Sequence, residues 1–126
     1  MNRAAYLLDT HVLLWWLGDD PKLSVLHRRI IADRSNTIFV SSVSVAEISI
    51  KSSLGKLDAP ADCVDAVMSA GFDLLDFTAA HAEHLRSLPW HHRDPFDRML
   101  VCQAQLEGLN LLTEDPRVRE YNVVTA

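Results

Sequence analysis

Two cysteines, four glycines and no long apolar run are what this chain has least of, and each shortage removes a class of protein. Cys63 and Cys102 stand apart, without Cys-x-x-Cys spacing, and each falls inside an apolar helical pattern. Buried thiols fit that placement better than a disulfide framework or a metal clip. No apolar stretch approaches the length needed to cross a bilayer, and the apolar run near the N-terminus is cut by Asp9 too early for a signal peptide. The expected setting is therefore cytoplasmic, with no membrane partner. Gly18, Gly55, Gly71 and Gly108 fall where helices should stop and form no phosphate-cradling motif. Internal repeats, low-complexity tracts and linkers are also missing, so residues 1–126 are expected to form one domain.

What is present is an apolar run that stops at a carboxylate. Tyr6-Leu7-Leu8 lacks polar alternation, as a strand covered on both faces does, and Asp9 follows at its carboxyl end. Ligands of open α/β sheets collect beyond the carboxyl ends of strands, which makes Asp9 a site candidate. Thr10 is expected to cap a helix over His11 to Leu17. That helix is more apolar than one small sheet should cover, a reason to expect a partner surface; of the adjacent Trp15 and Trp16, at least one should pack in the core.

Further along, Ser24 caps a helix running toward Arg34, and Thr37 to Val40 reads as a second strand. A helix from about Val45 carries Glu47 and closes near Gly55. Pro60 opens another, ending at Gly71. Phe72 to Phe77 is a third strand, Thr78 caps a helix to Leu88, and Asp94-Pro95 opens the longest helix, which ends at Gly108. Asn110 to Thr113 and Val123-Val124 complete the strands. Strands alternating with helices predict a three-layer α/β/α fold around a parallel sheet of about five strands.

Acids recur where the chain should pass one edge of that sheet: Asp9, Glu47, Asp94 or Asp97, and Asp115. Crowded carboxylates repel, and an all-oxygen cluster suits a hard cation such as Mg²⁺ or Mn²⁺, which activates water for phosphodiester cleavage. Each acid also has a local reading. Ser44 and Glu47 fit a capping box, Asp94 an N-cap before proline, Asp115-Pro116 a turn, and Asp9 a cap of its own helix. The net charge of −5 argues against a polyanionic partner until the acids of the proposed site are set aside: the 17 acids less Asp9, Glu47, Asp94, Asp97 and Asp115 leave 12, matching the 12 Lys and Arg. His92, Arg93 and Arg98 flank the acids and are candidates to meet the phosphates of a phosphodiester substrate, as is Lys51, one turn after Glu47. His81, His84, His91 and His92 lack the spacing of a zinc site.

Four segments together resemble one family. Leu-Leu-Asp-Thr-His at residues 7–11, Ser-x-x-Ser-x-x-Glu-Ile at 41–48, His-Arg-Asp-Pro-Phe-Asp-Arg at 92–98 and Leu-Leu-Thr-Glu-Asp at 111–115 are similar to PIN-domain proteins, and among them to VapC toxins of bacterial toxin–antitoxin pairs. The resemblance implies a PIN fold and Mg²⁺- or Mn²⁺-dependent endoribonuclease activity. It also implies a homodimer neutralised by a VapB-type antitoxin, in a heterotetramer or larger assembly. By position Asp9, Glu47 and Asp97 match the family's three main acids and Asp115 its more variable fourth, with Thr10, Ser44, Asp94 and Thr113 as secondary candidates. Two other classes remain open: a phosphoacceptor receiver domain, which also places acids after its first strand, and a PIN domain that binds without cleaving.

Overall fold

The computed structural model describes residues 4–126. Its centre is a parallel four-stranded sheet of order β3-β2-β1-β4, formed by β1 (Ala5–Leu8), β2 (Thr37–Ser41), β3 (Asp73–Leu75) and β4 (Asn110–Leu112). Period-two alternation sends neighbours in each strand to opposite faces. Leu8, Val40 and Leu112 pack on one side with Val12 and Leu13 of α1 (Thr10–Leu17), Ile31 of α2 (Val25–Ala32) and Val67 of α4 (Cys63–Ser69). Leu7 and Leu111 pack on the other with Leu100, Val101 and Ala104 of α6 (Pro95–Glu107). Both faces are therefore dry, which is why β1 reads as an unbroken apolar run. Helix α3 (Ser42–Ser53) sends Ile48 to the first core and Val43 to the second, while α5 (Ala79–His84) leads through a 3₁₀ turn at Leu85–Ser87 onto α6.

The sheet has four strands where about five were expected. Val123-Val124 runs beside β4 and its backbone is engaged there, with Leu111 N–H donating to Val124 O at 2.8 Å. Thr125 alone forms a bridge to Leu111, too little for a strand. Several boundaries also move. The third strand keeps only Asp73–Leu75, and α4 begins at Cys63, after a turn, instead of at Pro60. Helix α3 starts at Ser42, capped by Ser41, whose hydroxyl accepts from Val43 N–H at 2.9 Å. Helix α6 begins at Pro95 and ends as expected at Gly108, whose φ of 66° is a left-handed stop that glycine adopts without strain. The apolar helix α1 is better covered than its sequence suggests: Val12 and Leu13 are fully buried, and Leu14 to Leu17 are half-buried against the core. Cys63 and Cys102 are free, buried thiols. Among the described residues no helix is long and apolar enough to cross a membrane.

Strand β3 lies at the edge, separated from β1 by β2. A receiver-type sheet sets its third strand beside the first, so that a phosphorylated Asp there meets the first-strand acids. Here the acid after β3, Asp76, follows a strand that does not border β1, and that reading loses its geometry.

Candidate active site: an acidic edge of the sheet

Asp9 leaves β1 with its N–H on Leu112 O at 3.0 Å and becomes the N-cap of α1. Its Oδ1 accepts from His11 N–H at 2.9 Å and its Oδ2 from the Thr113 hydroxyl at 2.7 Å. Both oxygens of this buried carboxylate are thus oriented by donors from opposite ends of the chain. The cap is Asp9 and not Thr10. The Thr10 hydroxyl instead meets the Ser44 hydroxyl at 2.8 Å, fully inside the protein, and pins the start of α1 to α3.

That contact also removes the capping-box reading of Ser44 and Glu47, because Ser44 lies inside α3 and its hydroxyl is spent on Thr10. Glu47 is buried. Its Oε2 accepts from Lys51 Nζ at 2.5 Å, which pushes the Lys51 ammonium pKa up, while its Oε1 has no hydrogen-bond partner among the described residues. An anionic oxygen buried without a donor is costly unless a cation meets it.

The two aspartates of Asp94-Pro95-Phe96-Asp97 divide their work. Asp94 is the N-cap of α6, its Oδ1 accepting from Phe96 N–H at 2.8 Å and Asp97 N–H at 3.2 Å. Asp97, in the first turn, is free of that duty, and its Oδ2 sits 2.8 Å from His92 Nε2. Burial, and after it the negative charges of Asp9 and Asp94, push the Asp97 carboxyl up to about 7 against the opposing pull of His92. His11 lies in the same field. Its hydrogen bond with Asp9 raises its pKa, burial opposes, and the charges of Asp9, Glu47 and Asp97 add to the rise.

His92 does not reach the surface. Its ring is buried, its N–H donates to the Tyr121 hydroxyl at 3.0 Å, and its Nδ1 accepts from Arg93 N–H at 3.0 Å. A nitrogen that accepts carries no proton, which assigns the proton of the neutral ring to Nε2. Nε2–H therefore faces Asp97 Oδ2 and, at 3.3 Å, Asp115 Oδ2. His92, Asp97 and Asp115 bring one ligating atom each within 4.8 Å of one another. With Nε2 protonated, His92 holds the two acids together as a donor.

Asp115 accepts from Arg117 N–H at 2.9 Å, and its own N–H donates to the Thr113 hydroxyl at 3.1 Å. Burial alone would raise its carboxyl. The Arg117 hydrogen bonds from backbone and side chain, with the charge of Arg117, outweigh burial and hold it below the ordinary range. Thr113, fully buried, consequently joins two acids through one hydroxyl, donating to Asp9 and accepting from Asp115.

Arg98 is placed differently from the phosphate contact expected of it. Its guanidinium is buried, donating to Pro89 O at 2.7 Å, the Tyr121 hydroxyl at 3.0 Å and Leu88 O at 3.2 Å, with the Trp90 ring 3.7 Å away. It braces the loop that carries His92. Arg93 is exposed and Lys51 half-buried, so of the four basic candidates these two keep access to solvent. Sequence reasoning missed the orienting parts of His92 and Thr113. The available signal was adjacency, since each lies within five residues of an acid along the chain.

A parallel sheet whose carboxyl edge gathers acids at the cap of α1, on α3 and α6 and in the turn after β4 defines a class of α/β protein with a polar site at the end of its strands. Residues 6–124 match the PIN domain family, and the chain belongs to it. No curated protein matches it significantly. Among solved structures it is similar to VapBC2 from Rickettsia felis bound to a promoter DNA fragment, with 17% identity, 97% of each chain covered and a TM-score of 0.71. DNA-bound VapBC from Salmonella typhimurium is similar at 19% identity over 98% of this chain and 97% of that one, with a TM-score of 0.69. FitAcB from Neisseria gonorrhoeae is similar at 18% identity and 95% of each chain, with a TM-score of 0.59. At such identities the likeness is one of fold.

Proposed function

We propose that residues 1–126 act as a single cytoplasmic PIN domain that is a Mg²⁺- or Mn²⁺-dependent endoribonuclease, the toxin of a VapBC-type toxin–antitoxin pair. The observation that carries the reading is the buried Glu47 Oε1, without a hydrogen-bond partner among the described residues, in a neighbourhood where Asp9, Glu47 and Asp97 all act on His11. Several acids and one orphaned oxygen fit a hard divalent ion held by Asp9, Glu47, Asp97 and Asp115, an all-oxygen donor set. Such an ion, when bound, supplies an activated water and countercharge for phosphate oxygens.

The chain's own residues do the remaining work. His11 N–H and the Thr113 hydroxyl fix the direction of Asp9, Lys51 steadies Glu47, and His92 Nε2–H keeps Asp97 and Asp115 together against their repulsion. Asp97 gives up the proton it otherwise holds to about pH 7 before it can ligate. Exposed Arg93 and the half-buried Lys51 are the basic groups left to meet RNA phosphates. The partner protein is a VapB-type antitoxin, the solved VapBC and FitAcB structures being the support, and an antitoxin Arg or Lys entering the acids would replace the metal's charge. The active form is a homodimer, with a heterotetramer or larger complex when the antitoxin is bound.

The test is cleavage of single-stranded or looped RNA by purified protein. It is expected in Mg²⁺ or Mn²⁺, abolished by EDTA, and lost in Glu47→Gln and Asp97→Asn proteins that still fold. Undiminished cleavage in EDTA overturns the reading. Binding without cleavage in either metal replaces it with a PIN domain that only binds.

A further inference from the structure

Against the acids lies a pocket of about 350 Å³, most of whose lining the proposed chemistry of cleavage does not use. One wall is α1, with the half-buried indole of Trp15 and the His11 ring 6.0 Å from it. The opposite bank is the turn after β4, with Glu114 and Arg117, and Asp9 and Asp115 belong to both the pocket and the acidic edge. Three carboxylates in the lining reject an anion. An aromatic wall beside a carboxylate acceptor and a guanidinium donor suits a flat, neutral group with both donors and acceptors on its rim. Arg117 spends its backbone N–H and Nε on Asp115, and its terminal nitrogens have no partner among the described residues. Packing of Trp15 against the core fixes the platform in place.

We infer that this pocket is a nucleobase subsite: a base of the bound RNA stacks on Trp15 and is read at its edge by Glu114 and Arg117. The inference rests on the ribonuclease reading and adds to it the part of the RNA that is recognised. Stacking on an aromatic side chain tolerates any base and is strongest for the larger rings, so edge contacts must supply the choice.

The experiment uses neutral nucleosides, which carry no phosphate and need no metal, so it is independent of cleavage. Adenosine, guanosine, cytidine and uridine are titrated separately into metal-free protein while the three indole N–H signals are followed by NMR, Trp15 being assigned from its loss in Trp15→Phe. At least one nucleoside should shift the Trp15 signal and leave that of Trp90 in place. Trp15→Leu should weaken this binding, followed in both proteins by calorimetric titration, about ten-fold, the loss of one stacking contact. The bound nucleoside should also raise the apparent KM for RNA in Mn²⁺ without lowering kcat. Absence of any Trp15 shift at millimolar nucleoside overturns the subsite even if RNA is cleaved, and so does a shift by a basic peptide with none by nucleosides, which gives the pocket to a protein partner. A nucleoside shift without any RNA cleavage upholds the pocket and removes the ribonuclease reading. Should Trp15→Leu fail to fold, the wild-type titration still decides.

Discussion

The carboxyl of Asp97 couples the site to pH near neutrality. Its pKa is about 7 in the folded protein against an ordinary 3.8, so the folded, metal-free chain keeps a proton that the unfolded chain has released. A group whose folded pKa is raised lends stability that is complete below the unfolded value and is lost as pH rises through the folded one. The raised pKa of His11 acts in the same direction. In EDTA, the melting temperature should accordingly fall between about pH 5 and pH 8, and Asp97→Asn should flatten that fall; a wild type and variant with parallel profiles would contradict it. Adding Mn²⁺ should raise the melting temperature of wild type more than that of Asp97→Asn, since a ligand stabilises only what binds it. Asp94 should behave otherwise. As the cap of α6, its change to Ala should cost about 0.5–2 kcal/mol in denaturant melts, and its change to Asn much less, because Asn caps about as well. Cleavage should survive in Asp94→Asn and vanish in Asp97→Asn, and the reverse pattern would exchange their roles.

Between elements, the joint that matters most is the buried Thr10–Ser44 hydroxyl pair, which holds the helix behind Asp9 to the helix bearing Glu47. Removing either hydroxyl strands the other, so Thr10→Val and Ser44→Ala should each cost about 1–3 kcal/mol, while the double change should cost less than their sum. Additive losses by chemical denaturation would mean that the two hydroxyls do not depend on each other. This joint also marks where the sequence stopped being readable. Strands β1 and β2 and helix α6 announced themselves through unbroken apolar runs and through Asp-Pro and Gly at the helix ends, all local signals. Ser41 and Asp9 as caps were harder to find, because each stands next to a second good capping residue, Ser42 or Thr10, and a long-range partner decides between them. The last expected strand fails for a related reason. Val123-Val124 has the composition of a strand, but lying beside β4 it yields only the bridge at Thr125. His92 and Arg98 looked alike as basic neighbours of acids, and it took the tertiary fold to turn both inward.

For the molecule as a whole, the acids and bases balance once the acidic edge is set apart, so the surface away from it is not strongly repelled by a polyanion. The proposed dimer should appear in light scattering at micromolar concentration as twice the 14.2 kDa chain, and co-expression with a neighbouring small reading frame should yield a complex. A monomer that also captures no such partner would contradict both. The hydroxyl of Thr113 reaches across 104 positions of sequence to orient Asp9. At a synthesis rate of roughly 5–20 residues per second, the first acid waits on the order of 5–20 s for the residue that aims it. A ribosome making this chain is therefore beside an unfinished acidic edge until Thr113 has been added, and the carboxylate of Asp9 is aimed only after more than a hundred further residues have been joined.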